Sequence, residues 1–157
     1  MTITYSLEFL RRVSRRRHST RHGIDSIAEF VEEFAARLTS DYLDKLQTEL
    51  PILKVQFTLI TAPQFPHLPQ QLRLLTGYFD DITAGLFPAG SEASRKETAF
   101  ALLYAAKEAD IIPDSLPEIG YADDSLIVHT VLTRHEDVFR DYCFFRNLHW
   151  SEIAGAP

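Results

Sequence analysis

Cysteine is nearly missing from this 157-residue sequence, and the single one, Cys143, excludes an internal disulfide and a cysteine-rich zinc site. Its scarcity suits a reducing compartment. No apolar run approaches the roughly 18 to 20 residues that a membrane-spanning helix needs. The first residues lack the basic-then-apolar-then-small order of a secretory signal, because their arginines follow the apolar residues. The expected location is therefore cytoplasmic. Also missing are a glycine-rich phosphate loop, a Gly-x-Ser-x-Gly elbow and an HExxH zinc pair. With 45% hydrophobic and 24% charged residues, what remains has the balance of an ordinary globular domain long enough to bury a core.

The net charge of -6 is unevenly spread. Arg11, Arg12, Arg15, Arg16, Arg17 and Arg21 face only Glu8 within residues 1–22, so that arm carries +5 and the remainder -11. A basic arm on an acidic body makes a poor general polyanion binder, because the body repels phosphate. The arm would engage an acidic partner, its own chain or a second copy. Nucleic acid and an anionic membrane are further options, the latter with Tyr5, Leu7, Phe9 and Leu10 as an apolar side. No aromatic residue is interleaved among the arginines, so base stacking is not indicated.

Hydrophobic spacing predicts helices throughout. A short one fits Tyr5 to Val13. A long one, capped by Asp25 or Ser26, would carry Ile27, Phe30, Val31, Phe34, Leu38, Tyr42, Leu43 and Leu46 inward and end near Pro51. Residues 52–61 alternate like a strand, yet Ile52, Val55 and Leu59 share a helix face, and helix is preferred because no partner strand is evident. Three prolines make APQFPHLP a turn or extended link. Helices follow over Leu68 to Leu86 and from Ser91 or Ser94 to about Ala109, the latter with Phe100, Leu103 and Tyr104 inward. A last helix would start at YADD and reach about Leu148, with Asp124, Val128, Val131, His135, Val138, Tyr142 and Phe145 along one seam. The fold expected is all-α: a basic arm over 1–23, then one bundle over 24–157, with about five or six helices in all.

Ahead of that last helix lies a Pro/Asp-rich elbow. Pro113 and Pro117 each stop a helix, Gly120 permits a close approach, and Asp123 and Asp124 fall at a helix start. Carboxylates there serve as helix caps. Alternatively Asp110, Asp114, Asp123 and Asp124 converge on a hard divalent cation such as magnesium, calcium or manganese. Asp124 is the residue that capping explains least, because it sits on the apolar seam.

The string ALLYxxxxxDIIPDxxPxxGYxDD, over about residues 94–130, resembles the core motif of the YkvA-like family of small bacterial domains of unknown function. Tyr104, Asp110, Ile112, Pro113, Asp114, Pro117, Gly120, Tyr121, Asp123 and Asp124 occupy that pattern. The chain departs from it at Lys107-Glu108-Ala109, where members commonly carry Ser-Pro-Ile or Ser-Pro-Val. It departs again in the polar continuation HTVLTRHEDVFRDY, which argues against the membrane association that an apolar continuation suggests. The resemblance implies a compact helical domain and no particular reaction.

The histidines offer little organised chemistry. His129 and His135 are six residues apart and point to different faces of a helix, and His135 on the seam reads as a hydrogen-bonded core residue. Cys143 in YCFF reads as core, and Trp150 as a lid on it. The leading expectation is a non-enzymatic binding or scaffolding module with a protein partner or self-association. The alternative is a metal-dependent hydrolase of phosphate esters, with His129 or His135 assisting the aspartates, and the third is a peripheral membrane protein.

Overall fold

The computed structural model describes residues 23–106 and 121–155, with side chains from Ile27 onward. These form an all-helical bundle: α1 Gly23–Ala36, α2 Ser40–Thr58, α3 Leu68–Thr83, α4 Glu92–Ala106, α5 Ala122–Arg134, α6 Glu136–Phe145 and the single turn α7 Trp150–Ile153. Among them no strand occurs and no helix is long and apolar enough to cross a membrane. The expected helix at Tyr5 to Val13, the arginine arm and most of the Pro/Asp elbow lie outside the described residues.

At the centre is α4, which packs against α1, α2, α3 and α5. Every residue from Glu97 to Tyr104 is buried. Ala99 and Ala101 keep the helix thin enough for neighbours to close in on all sides, the condition of a helix buried all round. Ser91 starts it: the Ser91 hydroxyl accepts from the Ser94 amide at 3.1 Å, and the Ser94 hydroxyl accepts from the Ser91 amide at 3.0 Å. Two aromatic groups fill the space around it. Phe30, Phe34, Phe100 and Tyr104 join α1 to α4. Tyr78, Phe87, Phe139 and Tyr142 join α3 to α6.

Two helices expected to be continuous are broken. The helix from Asp25 to Pro51 splits after Ala36, where Arg37 and Leu38 bond back to Phe34 and Ala35 in a tightened turn and Thr39 turns extended. Thr39-Ser40-Asp41 is a run of residues whose side chains compete with helical bonds, and it restarts the chain as α2. The break redirects the burial. Leu43, Leu46, Leu50, Leu53 and Phe57 form the inner row of α2, while Tyr42, expected inside, is exposed. Pro51 does not end this helix. It lies on the solvent side, where water can serve the carbonyl that its missing N–H leaves unbonded. Residues 52–58 are helical, as preferred, although Ile52, Val55 and Leu59 face outward.

The second break falls at His135, whose backbone (φ -120°, ψ 34°) separates α5 from α6. It rotates the seam, so that Phe139 is fully buried, Val138 is only partly covered and Phe145 is exposed. The chain then turns through Asn147, at φ 57°, instead of continuing to Leu148. Likewise α3 stops at Thr83, because Gly85 takes the left-handed conformation (φ 74°) and the Leu86 amide closes on the Asp81 carbonyl at 2.9 Å. Buried Gln71 fastens the end of the chain to α3, its amide donating to the carbonyls of Ile153 (3.0 Å) and Gly155 (2.9 Å).

The rotated seam makes a stability prediction. Phe139→Ala should cost about 3–5 kcal/mol, the range for a buried phenyl ring, and Val138→Ala clearly less. Phe144→Ala, at a ring that is 89% exposed, should lie within about 0.5 kcal/mol of the parent. Urea unfolding of the three variants checks the order, and a larger loss at position 138 than at 139 would contradict the break.

Candidate functional site

A helix buried on every side must pair its own polar side chains, and α4 carries several. Ser94 meets the Tyr78 hydroxyl of α3 at 2.5 Å. Glu97, 4% exposed at its side chain, accepts from Arg134 Nε at 2.8 Å and from His135 Nε2. Arg134 also reaches Glu32 of α1 at 3.4 Å. Two turns further along α4, the Tyr104 hydroxyl donates to Asp123 Oδ2 over a long 3.4 Å. Glu97 thus holds the C-terminal end of antiparallel α5 and Tyr104 its N-terminal end. Thr98 is fully buried, and its hydroxyl has no hydrogen-bond partner among the described residues.

Asp123 and Asp124 are both buried in the first turn of α5, where carboxylates meet the positive end of the helix. Their position at a helix start and the burial of Asp124 agree with the sequence. Asp110 and Asp114, needed for the proposed four-carboxylate cation site, lie outside the described residues. Among the described residues no three His, Cys, Asp or Glu side chains stand close enough to hold a metal ion. Eleven residues separate His135 from Asp124, about 16 Å along the helix at 1.5 Å per residue. His135 is paired with Glu97, and His129 lies beside the Thr133 hydroxyl of its own helix. His135 is therefore not brought to Asp123 or Asp124.

A further buried carboxylate went unnoticed in the sequence. Asp81 of α3 accepts from the Tyr142 hydroxyl at 2.6 Å and from both Nε (2.6 Å) and Nη2 of Arg146. Burial raises the Asp81 pKa, but Arg146 and Tyr142 outweigh it and hold the carboxyl below its ordinary value. Burial and the same carboxylate push the Tyr142 phenol up, out of the physiological range. Gly77 makes room for this group: a Cβ there would stand 3.0 Å from the Tyr142 hydroxyl. Beside it, Asp80 accepts from Gln47 (2.9 Å) and Lys54 (2.8 Å) of α2. The available signals were an acid inside the apolar run ETAFALLYAA and the pair Asp80-Asp81 within a helix. Neither states which basic residue folds back onto it.

Each buried acid whose partners are seen is thus turned toward a cation or hydroxyl of a neighbouring helix. That arrangement braces the bundle, and it leaves Glu97 and Asp81 no free oxygen aimed at solvent. Cys143 is buried and its thiol is pushed up by that burial, as an inert core cysteine should be. Trp150 packs partly buried against the core, with Arg140 over its ring at 5.9 Å.

A family model described as a protein of unknown function (DUF1232) matches residues 96–129. The stretch runs from the second turn of α4 to the middle of α5, so the likeness covers the central hairpin and a minority of the chain. It supports a small family of unknown function for that segment; the YkvA-like name rests on the motif alone. No curated protein and no solved structure matches the chain.

Two predictions follow from the braces. Glu97→Gln leaves Arg134 without its carboxylate and should cost about 3 kcal/mol, whereas Thr98→Val removes a lone buried hydroxyl and should be neutral or raise stability by up to about 1 kcal/mol. Urea titrations at neutral pH distinguish them. The second concerns acid. Burial holds His135 below its ordinary 6.5, with Glu97 opposing and Arg134 adding to the effect, so the neutral ring donates Nε2–H to Glu97. A depressed histidine contributes stability that is complete above 6.5 and lost as pH falls through its lower folded value. Stability should therefore decline as pH falls below about 6.5, and His135→Gln should flatten that slope. An unchanged slope in the variant would assign the decline elsewhere.

Proposed function

We propose that the chain is a non-enzymatic binding module that works through protein–protein contact. One observation carries the reading: Ile52 and Val55 on the outer face of α2, with Leu59 at its C-cap, form a row and are 63, 61 and 74% exposed. Their three- and four-residue steps put them on one line, opposite the buried row of the same helix. Single exposed apolar residues are ordinary, but an aligned row has the form that a partner's amphipathic helix recognises. The buried acids described above support the same view, because Glu97 and Asp81 are committed to bracing the bundle.

The arginine arm complements this surface in sign. The described residues hold nine Lys and Arg against seventeen Asp and Glu, a net charge of -8, whereas residues 1–22 carry +5. The arm would draw in an acidic partner or the acidic face of a second copy, and the row would supply the apolar contact. The phosphate-ester hydrolase reading rests on Asp110 and Asp114 joining Asp123 and Asp124. Calorimetric titration of magnesium, calcium and manganese tests it directly, and absence of heat would remove it.

A photo-crosslinking side chain at position 55 of the full chain tests the contact surface. It should give a discrete product, either a dimer of the chain or a heteromeric adduct, and Ile52→Lys should abolish that product without altering the melting temperature. The same probe at Glu33, exposed on α1, should give none. Equal labelling at 33 and 55, or no product at 55, would refute the α2 surface.

A further inference from the structure

Around the edge of α2 from the exposed row, its C-terminal turns and the start of α3 enclose a groove of about 520 Å³. That volume lies within the roughly 300–1,000 Å³ typical of small-molecule sites. Phe57, itself buried, forms an aromatic part of the wall. Pro66 and Pro69 form another part, and their fixed φ angles keep it from collapsing when empty. Gly77 lines it as well. The groove is formed by the fold itself, before any ligand arrives.

Its polar groups share one bias. Lys54, Arg73 and Gln70 line it, with Thr58 and Thr76, and no Asp or Glu does. Asp80 offsets the charge of Lys54, so on a body carrying -8 the positive charge of the recess rests on Arg73. Lys54 is held in place by Asp80 at 2.8 Å. No carboxylate among the described residues pairs with exposed Arg73. Its guanidinium offers a planar fork matched to a carboxylate or phosphate. We infer that this groove is a binding site for a small organic anion, a carboxylate or phosphate carried on a flat apolar body. The anionic group lies toward Arg73 and Lys54, and the apolar body lies against Phe57 and the prolines. The site is distinct from the protein-contact row, and neither needs the other.

Calorimetry or ligand-observed NMR on the full chain tests it with three probes: phenyl phosphate, benzoate and inorganic phosphate. At least one aryl anion should bind, and inorganic phosphate should bind at least roughly tenfold more weakly because it cannot use the apolar wall. Whichever aryl anion binds more tightly identifies the head group. Arg73→Gln and Gln70→Glu, both at exposed positions, should each weaken that binding roughly tenfold while leaving the ligand-free melting temperature unchanged. No binding of either aryl anion up to about 10 mM, or binding unchanged in both variants, would overturn the assignment. Inorganic phosphate binding as tightly as the aryl probes would also overturn it, by reducing the groove to a nonspecific basic patch.

Discussion

The bundle is organised by the need to bury α4 on all sides although its sequence is not apolar on all sides. Ser94, Glu97, Thr98 and Tyr104 lie within a stretch that water does not reach. A buried charge or donor left unpaired costs several kcal/mol, which is comparable with the whole stability of a small domain. Tyr78 meets Ser94, Arg134 and His135 meet Glu97, and Asp123 meets Tyr104. Each pairing fixes where a neighbouring helix lies along α4. Apolar packing alone would let those helices slide, whereas the polar pairs select one register. This accounts for acids and a histidine inside a core with little of the geometry of an active site.

Much of this could be read from the chain, and the failures share a cause. The existence of α3, the inner face of α4, the serine start of α4 and the aspartate start of α5 follow from local spacing and capping, and they were legible. The continuous helices through 37–39 and 135 were not, because a seam of correct period continues across both breaks. At Thr39 a short polar run prevails over that period. At His135 the decisive partner is Glu97, 38 positions earlier, and no local pattern reveals it. Pro51 erred in the other direction: a local rule forecast an end, and the exposed side of the helix tolerated the residue.

The candidate site shows the same division. The burial of Asp124 was anticipated from its place on the seam, and its neighbour Asp123 proved equally buried. Asp81, Tyr142 and Arg146 were invisible as a group, because they are joined only when α3 and α6 pack. The outward row of α2 was seen as a shared helix face, with no side assigned to it. Once the helix restarts at Ser40, Leu43, Leu46, Leu50, Leu53 and Phe57 define the inner face instead, leaving Ile52, Val55 and Leu59 to solvent.

Gly77 belongs to two neighbourhoods at once. It lines the groove, and the absence of its side chain admits the Tyr142 hydroxyl that anchors Asp81. A larger residue there would press on the Tyr142 hydroxyl and so disturb the interior of the bundle behind the recess. The wall of the groove around position 77 is therefore not free to drift in sequence, whatever the groove accommodates. Divergence in what it prefers would have to arise from the α2 rim and the approach to α3, at positions such as Thr58, Gln70 and Arg73. The helix interior would stay constant while the rim changed, and related chains would differ there first.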